Sequence, residues 1–513
     1  MDRSFAATRR QLLLASTGLL VAPGCALRPA VAPPLTAYPF TLGVASGDPL
    51  ADGFVIWTRL APAPLAGGGM TDMPVIVDWD VAADERFRRI IASGAAVAEP
   101  DSAHAVHVEV EGLRPDRWYW YRFRCGEAVS PIGRSRTAPR PGAALSGLRF
   151  GYASCQHYEQ GWFSALRHLA ADQPDLILHL GDYIYETPWN AGARRHEAGV
   201  PQTLAEYRNR HACYKLDPDL QAAHAACPWL FCWDDHEVEN DYAGEHAQNG
   251  RPPAQFLQRR AAAYRAYWEH LPLRRAARPR GANMQLYQRS IFGNLIAFHV
   301  LDTRQYRDDQ PCAVAGRGGG RIAPLCDELL DPARTMLGPQ QERWLLHGLM
   351  QSRARWNVIA QSLLMAPLDQ VPGEGVGVWT DGWGGYPAAR ERILRRLAEA
   401  GTPNPVVIGG DIHSYWANEL SPAPGLPPVA TEFVGSSITS GGPSYDYFSR
   451  VVSENPHVKF FECRVRGYVL CEVRPQQLDV SFRAVDDARD PASGAYTLAR
   501  FAVESGRPSV QTL

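Results

Sequence analysis

The chain has 513 residues, of which 45% are hydrophobic and 21% charged, and its formal net charge is -2. That length exceeds one ordinary hydrophobic core and predicts two domains. A charge so near zero, with no long run of either sign, excludes an electrostatic footprint for nucleic acid or for an anionic membrane, so a negatively charged substrate must be drawn in by metal ions or individual arginines.

The N-terminal run Thr8-Arg9-Arg10-Gln11-Leu12-Leu13-Leu14, followed by an apolar stretch to Ala22, has the pattern of a twin-arginine signal peptide over 1–25. It predicts export of a folded protein by the twin-arginine machinery to the periplasm or beyond, with no transmembrane helix in the mature chain. Gly24-Cys25 also resembles a lipoprotein acceptor, which would anchor the protein at Cys25. A Pro/Ala linker occupies 26–39. From 40 to 141 an apolar run at 54–58 and alternating runs at 75–81, 104–110 and 118–124 read as short strands, which predicts a small all-β sandwich. The breaker Pro139-Arg140-Pro141-Gly142 ends it. From 148 to 505 helical patterns at 163–172, 255–271, 340–352 and 388–400 alternate with apolar strands at 176–180, 356–360 and 405–408. This alternation predicts a layered α/β catalytic domain, with further strands between 429 and 503 completing its sheets. An oxidising compartment permits disulfides. Cys312 and Cys326 bracket a Gly-rich loop, Cys213, Cys227 and Cys232 form a second group, and the pairing stays open.

Chemistry concentrates where apolar strands stop. Gly181-Asp182-Tyr183-Ile184-Tyr185-Glu186 follows the run at 176–180, and Gly409-Gly410-Asp411-Ile412-His413-Ser414 follows the run at 405–408. Trp233-Asp234-Asp235-His236-Glu237 follows 229–232, and Ser154-Cys155-Gln156 ends another strand-like run. A strand ending in Gly-Asp delivers a carboxylate to the carboxyl edge of a sheet, where ligands of α/β folds collect. Carboxylates crowded there repel one another unless a divalent or trivalent cation sits among them. Asp182 and Tyr185 can reach one metal from the same face, and a phenolate suits a hard ferric ion. The Cys155 thiolate can join the same ion. Asp411 and His413 alternate about Ile412, so one segment can serve two adjacent metals.

These four clusters resemble the PhoD family of alkaline phosphatases and phosphodiesterases, among the calcineurin-like metallophosphoesterases. Phe40-Thr41-Leu42-Gly43-Val44-Ala45-Ser46-Gly47-Asp48-Pro49, Leu301-Asp302-Thr303-Arg304-Gln305-Tyr306-Arg307 and Gly338-Pro339-Gln340-Gln341 extend the resemblance over nearly the whole exported chain. It implies Fe3+ beside Ca2+, with Cys155, Tyr185 and His413 on iron, Asp182 bridging, and Asp235 and Asp411 facing calcium. Gln361 stands where many metallophosphoesterases place a further histidine, and its amide oxygen suits calcium. The implied reaction is hydrolysis of phosphate monoesters, diesters or both, including diesters of lipids or polymers, by metal-activated hydroxide. Arg304 would meet charge developing on the phosphate, and His236 would protonate the leaving alkoxide. Two readings of another class are a calcium-dependent binding or adhesion protein with a non-catalytic metal site, and an oxidase using the Cys/Tyr iron site. The loops 187–215, 308–330 and 370–387 are the candidates for shaping specificity.

Overall fold

Strands buried on both faces need apolar residues at every position, and the runs before the Gly-Asp clusters meet that requirement. In Leu176–Leu180 the even-numbered leucines enter one core while Ile177 enters another. Val406 and Ile408 of Pro405–Gly409 likewise face away from Val407. The computed structural model describes residues 37–314 and 316–513, so the twin-arginine segment, Cys25 and the linker up to 36 lie outside the described residues.

Two large sheets result, and the protein is mixed α/β. One has ten strands, with Leu148–Ala153, Leu176–Leu180 and Trp229–Cys232 parallel at its centre. The other has seven, with Ile296–Val300, Trp356–Ala360, Pro405–Gly409 and Ala430–Val434 parallel. The sheets share a core that includes Phe150, Leu178 and Leu230 from the first and Phe298, Val358 and Ile408 from the second. Helices Ser164–Ala171, Leu204–Lys215, Pro218–Ala226 and Pro253–His270 pack on the outer face of the ten-stranded sheet. Gly338–Gln351 and Pro387–Ala400 cover the seven-stranded one. Among the N-terminal strands, Val44–Leu50, Gly53–Arg59 and Ala105–Val110 extend the ten-stranded sheet, with Gly47 opposite Trp229. Val75–Ala82, Ile90–Ala98 and Trp118–Cys125 form a separate sheet.

Leu204–Lys215 and Pro218–Ala226 escape the periodicity reading because their apolar residues do not gather into one stripe. Their caps are nonetheless written in the sequence. Thr203 and Glu206 make a reciprocal capping box, and Asp217 accepts from the amides of Asp219 and Leu220 with Pro218 behind it. Cys312 and Cys326 form a disulfide, whereas Cys213, Cys227 and Cys232 are buried free thiols. No helix among the described residues is long and apolar enough to cross a membrane.

Several histidines are sealed in this core uncharged. His107 lies flat on Trp268, with Nε2 3.0 Å from the carbonyls of Trp268 and Leu271. Burial pushes its pKa down to about 4, and those of His179 and His211 to about 3. An unfolded histidine titrates near ~6.5, so between that pH and the depressed values the unfolded chain binds the extra protons. The share of the stability that these rings contribute is therefore full above about pH 6.5 and falls as the medium is acidified, by on the order of 1.4 kcal/mol per pH unit for each ring, while carboxyls raised by burial, such as Glu432, work in the opposite direction. Thermal melts from pH 8 to pH 4 should show a level Tm that drops steeply below about pH 6.5. A level Tm down to pH 4.5 would contradict it.

Candidate metal centre

The three parallel central strands of the ten-stranded sheet end at one edge. Leu148–Ala153 leads to Cys155, Leu176–Leu180 to Asp182 and Tyr185, and Trp229–Cys232 to Asp234, Asp235 and His236. The seven-stranded sheet sends Arg304 from Ile296–Val300, Gln361 from Trp356–Ala360, and Asp411 and His413 from Pro405–Gly409. Cys155, Asp182, Asp411 and His413 all adopt left-handed backbone, with φ of 58°, 54°, 65° and 53°. Non-glycine residues rarely do so, and such strain persists where surrounding structure enforces a functional geometry.

The loops converge on overlapping sets of donor atoms. Cys155, Asp182 and His413 each offer one atom within 4.8 Å of the others; so do Asp182, Asp235 and His236, and again Asp234, Asp235 and Asp411. Asp182 and Asp235 thus link neighbouring positions. The Tyr185 hydroxyl donates to Asp182 Oδ2 at 2.8 Å and lies 3.1 Å from His413 Nε2, which places the phenol with the first set. Asp182 Oδ1, Asp235 Oδ1 and Asp234 Oδ2 are buried without a hydrogen-bond partner. Such groups are costly to leave unpaired. Thiol, phenol, imidazole and carboxylate donors crowded around orphaned oxygens suit metal ions, and a cation among them would supply the missing interactions.

Electrostatics agree. Burial, reinforced by Asp235 and Asp234, raises the Asp182 pKa well above the usual carboxylate range, and burial with Asp234 does the same to Asp411. Burial also pushes the Cys155 thiol well up, with Asp182 adding to it, and lowers His413 to about 4. The neutral carboxyls and thiol give way to their ligating anions when a positive ion is near, and the neutral His413 imidazole is already in its ligating form. His236 behaves oppositely: burial works against its charge, but Glu186, Asp235 and Asp182 hold its pKa well above the histidine range.

The structure brings Cys155, Asp182, Tyr185, Asp235, His236, Asp411 and His413 together. It does not bring Gln361. That amide is buried, its oxygen accepting from Leu363 N at 2.8 Å and Trp383 Nε1 at 3.2 Å, and its nitrogen donating to Leu363 O. Its oxygen is thus taken by the turn and by Trp383, and one of its two amide hydrogens by the turn. Arg304 reaches the centre from beneath. It is 0% exposed and pairs with Asp234, with Asp381 at 2.8 Å and with Asp235 at 3.6 Å, so its fork is engaged with carboxylates and only Nη2 is left without a hydrogen-bond partner. His236 Nδ1 lies 2.7 Å from Glu186 Oε2 and its ring packs on Tyr185. The sequence reading missed Asp234 as a donor, although it stands beside Asp235. It also missed Glu237, whose carboxylate accepts from Tyr183 N at 2.6 Å and Asp234 N at 2.9 Å and so clamps two donor loops together. Ser440, with Oγ 2.8 Å from the Tyr185 hydroxyl, carries no signal in the sequence at all.

Gly181 sets the approach of those two loops. Its φ is +103°, and a Cβ there would lie 2.6 Å from Asp234 Cβ and 2.8 Å from Asp234 N. Gly181→Ala should therefore separate Asp182 from Asp235 and lower kcat/KM about a hundredfold, since misplacement of about 1 Å costs that much. Steady-state kinetics would check it, and a near-wild-type rate would show that the loops tolerate the spread.

Residues 150–482 match the sequence model of the PhoD-like phosphatases, and residues 24–139 match that of the PhoD-like phosphatase N-terminal domain. The chain belongs to the PhoD-like phosphatase family. It is a phosphoric ester hydrolase. This PhoD-like phosphatase is similar to "Alkaline phosphatase D" of Bacillus subtilis (strain 168), 45% identical over 492 residues that cover 94% of this chain and 83% of the relative. It is also similar to a solved structure described as "Structure of PhoD", with a TM-score of 0.90, 45% identity, and coverage of 94% of this chain and 93% of that one. The segment matched by the PhoD-like phosphatase model contains every donor from Cys155 to His413.

Proposed function

We propose that the protein is an exported, metal-dependent hydrolase of phosphate monoesters or diesters, with Fe3+ held by Cys155, Asp182, Tyr185 and His413 and Ca2+ held by Asp182, Asp235 and Asp411. The observation that carries this reading is the run of donor sets linked through Asp182 and Asp235, with an orphaned buried oxygen on each. The soft thiolate and the phenol favour a redox-capable ion at one end, and the all-oxygen set at the other favours a hard divalent ion. Asp234 belongs with the second set, and Gln361 is left out of it.

Metal ions bound there would supply Lewis acidity and lower the pKa of water. The chain's own groups do the rest. Arg304 holds Asp235 below the usual carboxylate range and opposes the burial that raises Asp234 to about 6. Glu186 fixes His236 through Nδ1, leaving Nε2 to carry a proton to the leaving oxygen. Ser440 and Asp182 hold the phenol oxygen of Tyr185 in place. In domain terms, 40–141 is read as an N-terminal β-sandwich and 148–505 as a layered metallophosphoesterase-like domain, supported by the family matches on either side of 140. Export through the signal at 1–25 draws support from the Cys312–Cys326 disulfide, since such bonds persist in oxidising compartments.

The test is hydrolysis of 4-nitrophenyl phosphate and its phenyl diester by the protein as isolated, after chelation, and after iron and calcium are restored singly and together. Full activity should return only with both ions, and a visible phenolate-to-iron absorption should vanish in Tyr185→Phe. Recovery with calcium alone, or zinc alone, would overturn the assignment of the ions.

A further inference from the structure

A cavity of about 480 Å³ opens directly beside Asp411 and His413. Nothing in the hydrolytic chemistry so far uses it. Its walls are largely apolar, with Leu364, Leu368, Tyr447, Phe448, Ile322 and Trp379 among them. Tyr447 spends its hydroxyl on the Gln370 carbonyl, so its ring is what faces inward. Ile322 and Trp379 are cross-strand partners in a two-stranded ribbon, and the Cys312–Cys326 disulfide ties down the loop that carries Ile322. Both remain open to solvent, at 42% and 36%, although large apolar side chains gain by being covered. Asp241, Asp411 and His413 are the ionisable groups of the lining besides the Tyr447 phenol, and no Lys or Arg contributes to it among the described residues.

Such a cavity suits no anionic extension of a substrate. Beyond the donors Asp411 and His413 the lining offers Asp241 and no Lys or Arg, so a second phosphate or a polyanionic chain would find no counter-charge along it. An uncharged hydrocarbon group would instead cover Ile322 and Trp379 and fill a preformed apolar volume next to the donor atoms. We infer that this enzyme takes phosphoric esters of apolar alcohols, whose alkyl group occupies the cavity while the phosphoryl group sits at Asp411 and His413. This rests on the hydrolase reading above and names the substrate class of the same site. The alkyl group contributes binding on the leaving side, so chain length should act on kcat/KM.

The experiment uses the full chain loaded with metal and a series of n-alkyl phosphates and their methyl diesters from methyl to octyl, with 4-nitrophenyl phosphate as control. The alcohols released have nearly equal acidity, so the chemical step stays constant along the series. The expected result is a rise in kcat/KM of about fourfold per methylene, levelling where the cavity is filled. Trp379→Ser and Ile322→Asp, both at half-exposed positions where folding is spared, should each flatten that slope. A flat or falling series, with the nitrophenyl ester still turned over, would overturn the inference and leave the hydrolase reading standing. A rise that neither variant alters would overturn the assignment of this cavity. Failure to hydrolyse any ester, control included, would sink both readings together.

Discussion

Asp182→Asn should reduce hydrolysis by about a thousandfold or more while leaving the chain folded. The carboxylate belongs to two donor sets at once, and its Oδ1 is buried with no partner in the protein. Its loss removes charge that two positions share, and several kcal/mol of transition-state stabilisation correspond to about three powers of ten in rate. The same change removes a carboxyl that folding without metal must either bury charged beside Asp234 and Asp235 or protonate. In metal-free protein the variant should therefore melt higher than the unsubstituted chain, the opposite sign from its effect on activity. Metal analysis, kinetics and melts of chelated protein together decide the matter. A variant that keeps both its metal content and its rate would show that Asp182 is not the shared ligand.

Arg304→Met should cost about 3–5 kcal/mol of stability, because removing one member of a buried ion pair leaves charges uncompensated. The guanidinium is 0% exposed, and it alone spans Asp234, Asp235 and Asp381. Arg307 also pairs with Asp381, so that carboxylate keeps one partner while Asp234 loses its own. Arg304→Lys should rescue little, since a single ammonium cannot span the fork of contacts. Adding Asp234→Asn to Arg304→Met should recover part of the loss by removing the carboxylate left without its ion-pair partner. Urea unfolding of the metal-free proteins measures all of these. A change of under about 1 kcal/mol would mean that the carboxylates take up protons and relax instead.

Asp182, Tyr185, Asp411 and His413 were legible because each follows an apolar run that can only be a buried strand, and a Gly-Asp stop fixes where the carboxylate goes. The helix at Pro253–His270 and the strands Leu176–Leu180 and Trp356–Ala360 were legible through their apolar patterns. Leu204–Lys215 was not, because its inward face carries Arg210, His211 and Lys215 among its buried residues. Gln361 shows the limit of reading a residue by its place after a strand, for the local turn and Trp383 consume its amide. The role of Arg304 depends on Asp381, 77 positions away in a loop, and no local pattern announces such a partner. The apolar cavity is harder still, since its walls come from segments around 322, 364–384 and 441–448.

The donors come from both sheets, and this sets a schedule. Cys155, Asp182, Tyr185 and Asp235 emerge early in synthesis, but Asp411 and His413 belong to a strand of the second sheet, which cannot dock until most of the chain exists. A nascent or truncated chain thus holds a half-set of ligands with nothing opposite them. On the proposed assignment, metal occupancy would be a certificate of completion: a chain that had bound its full complement would already have closed one sheet upon the other.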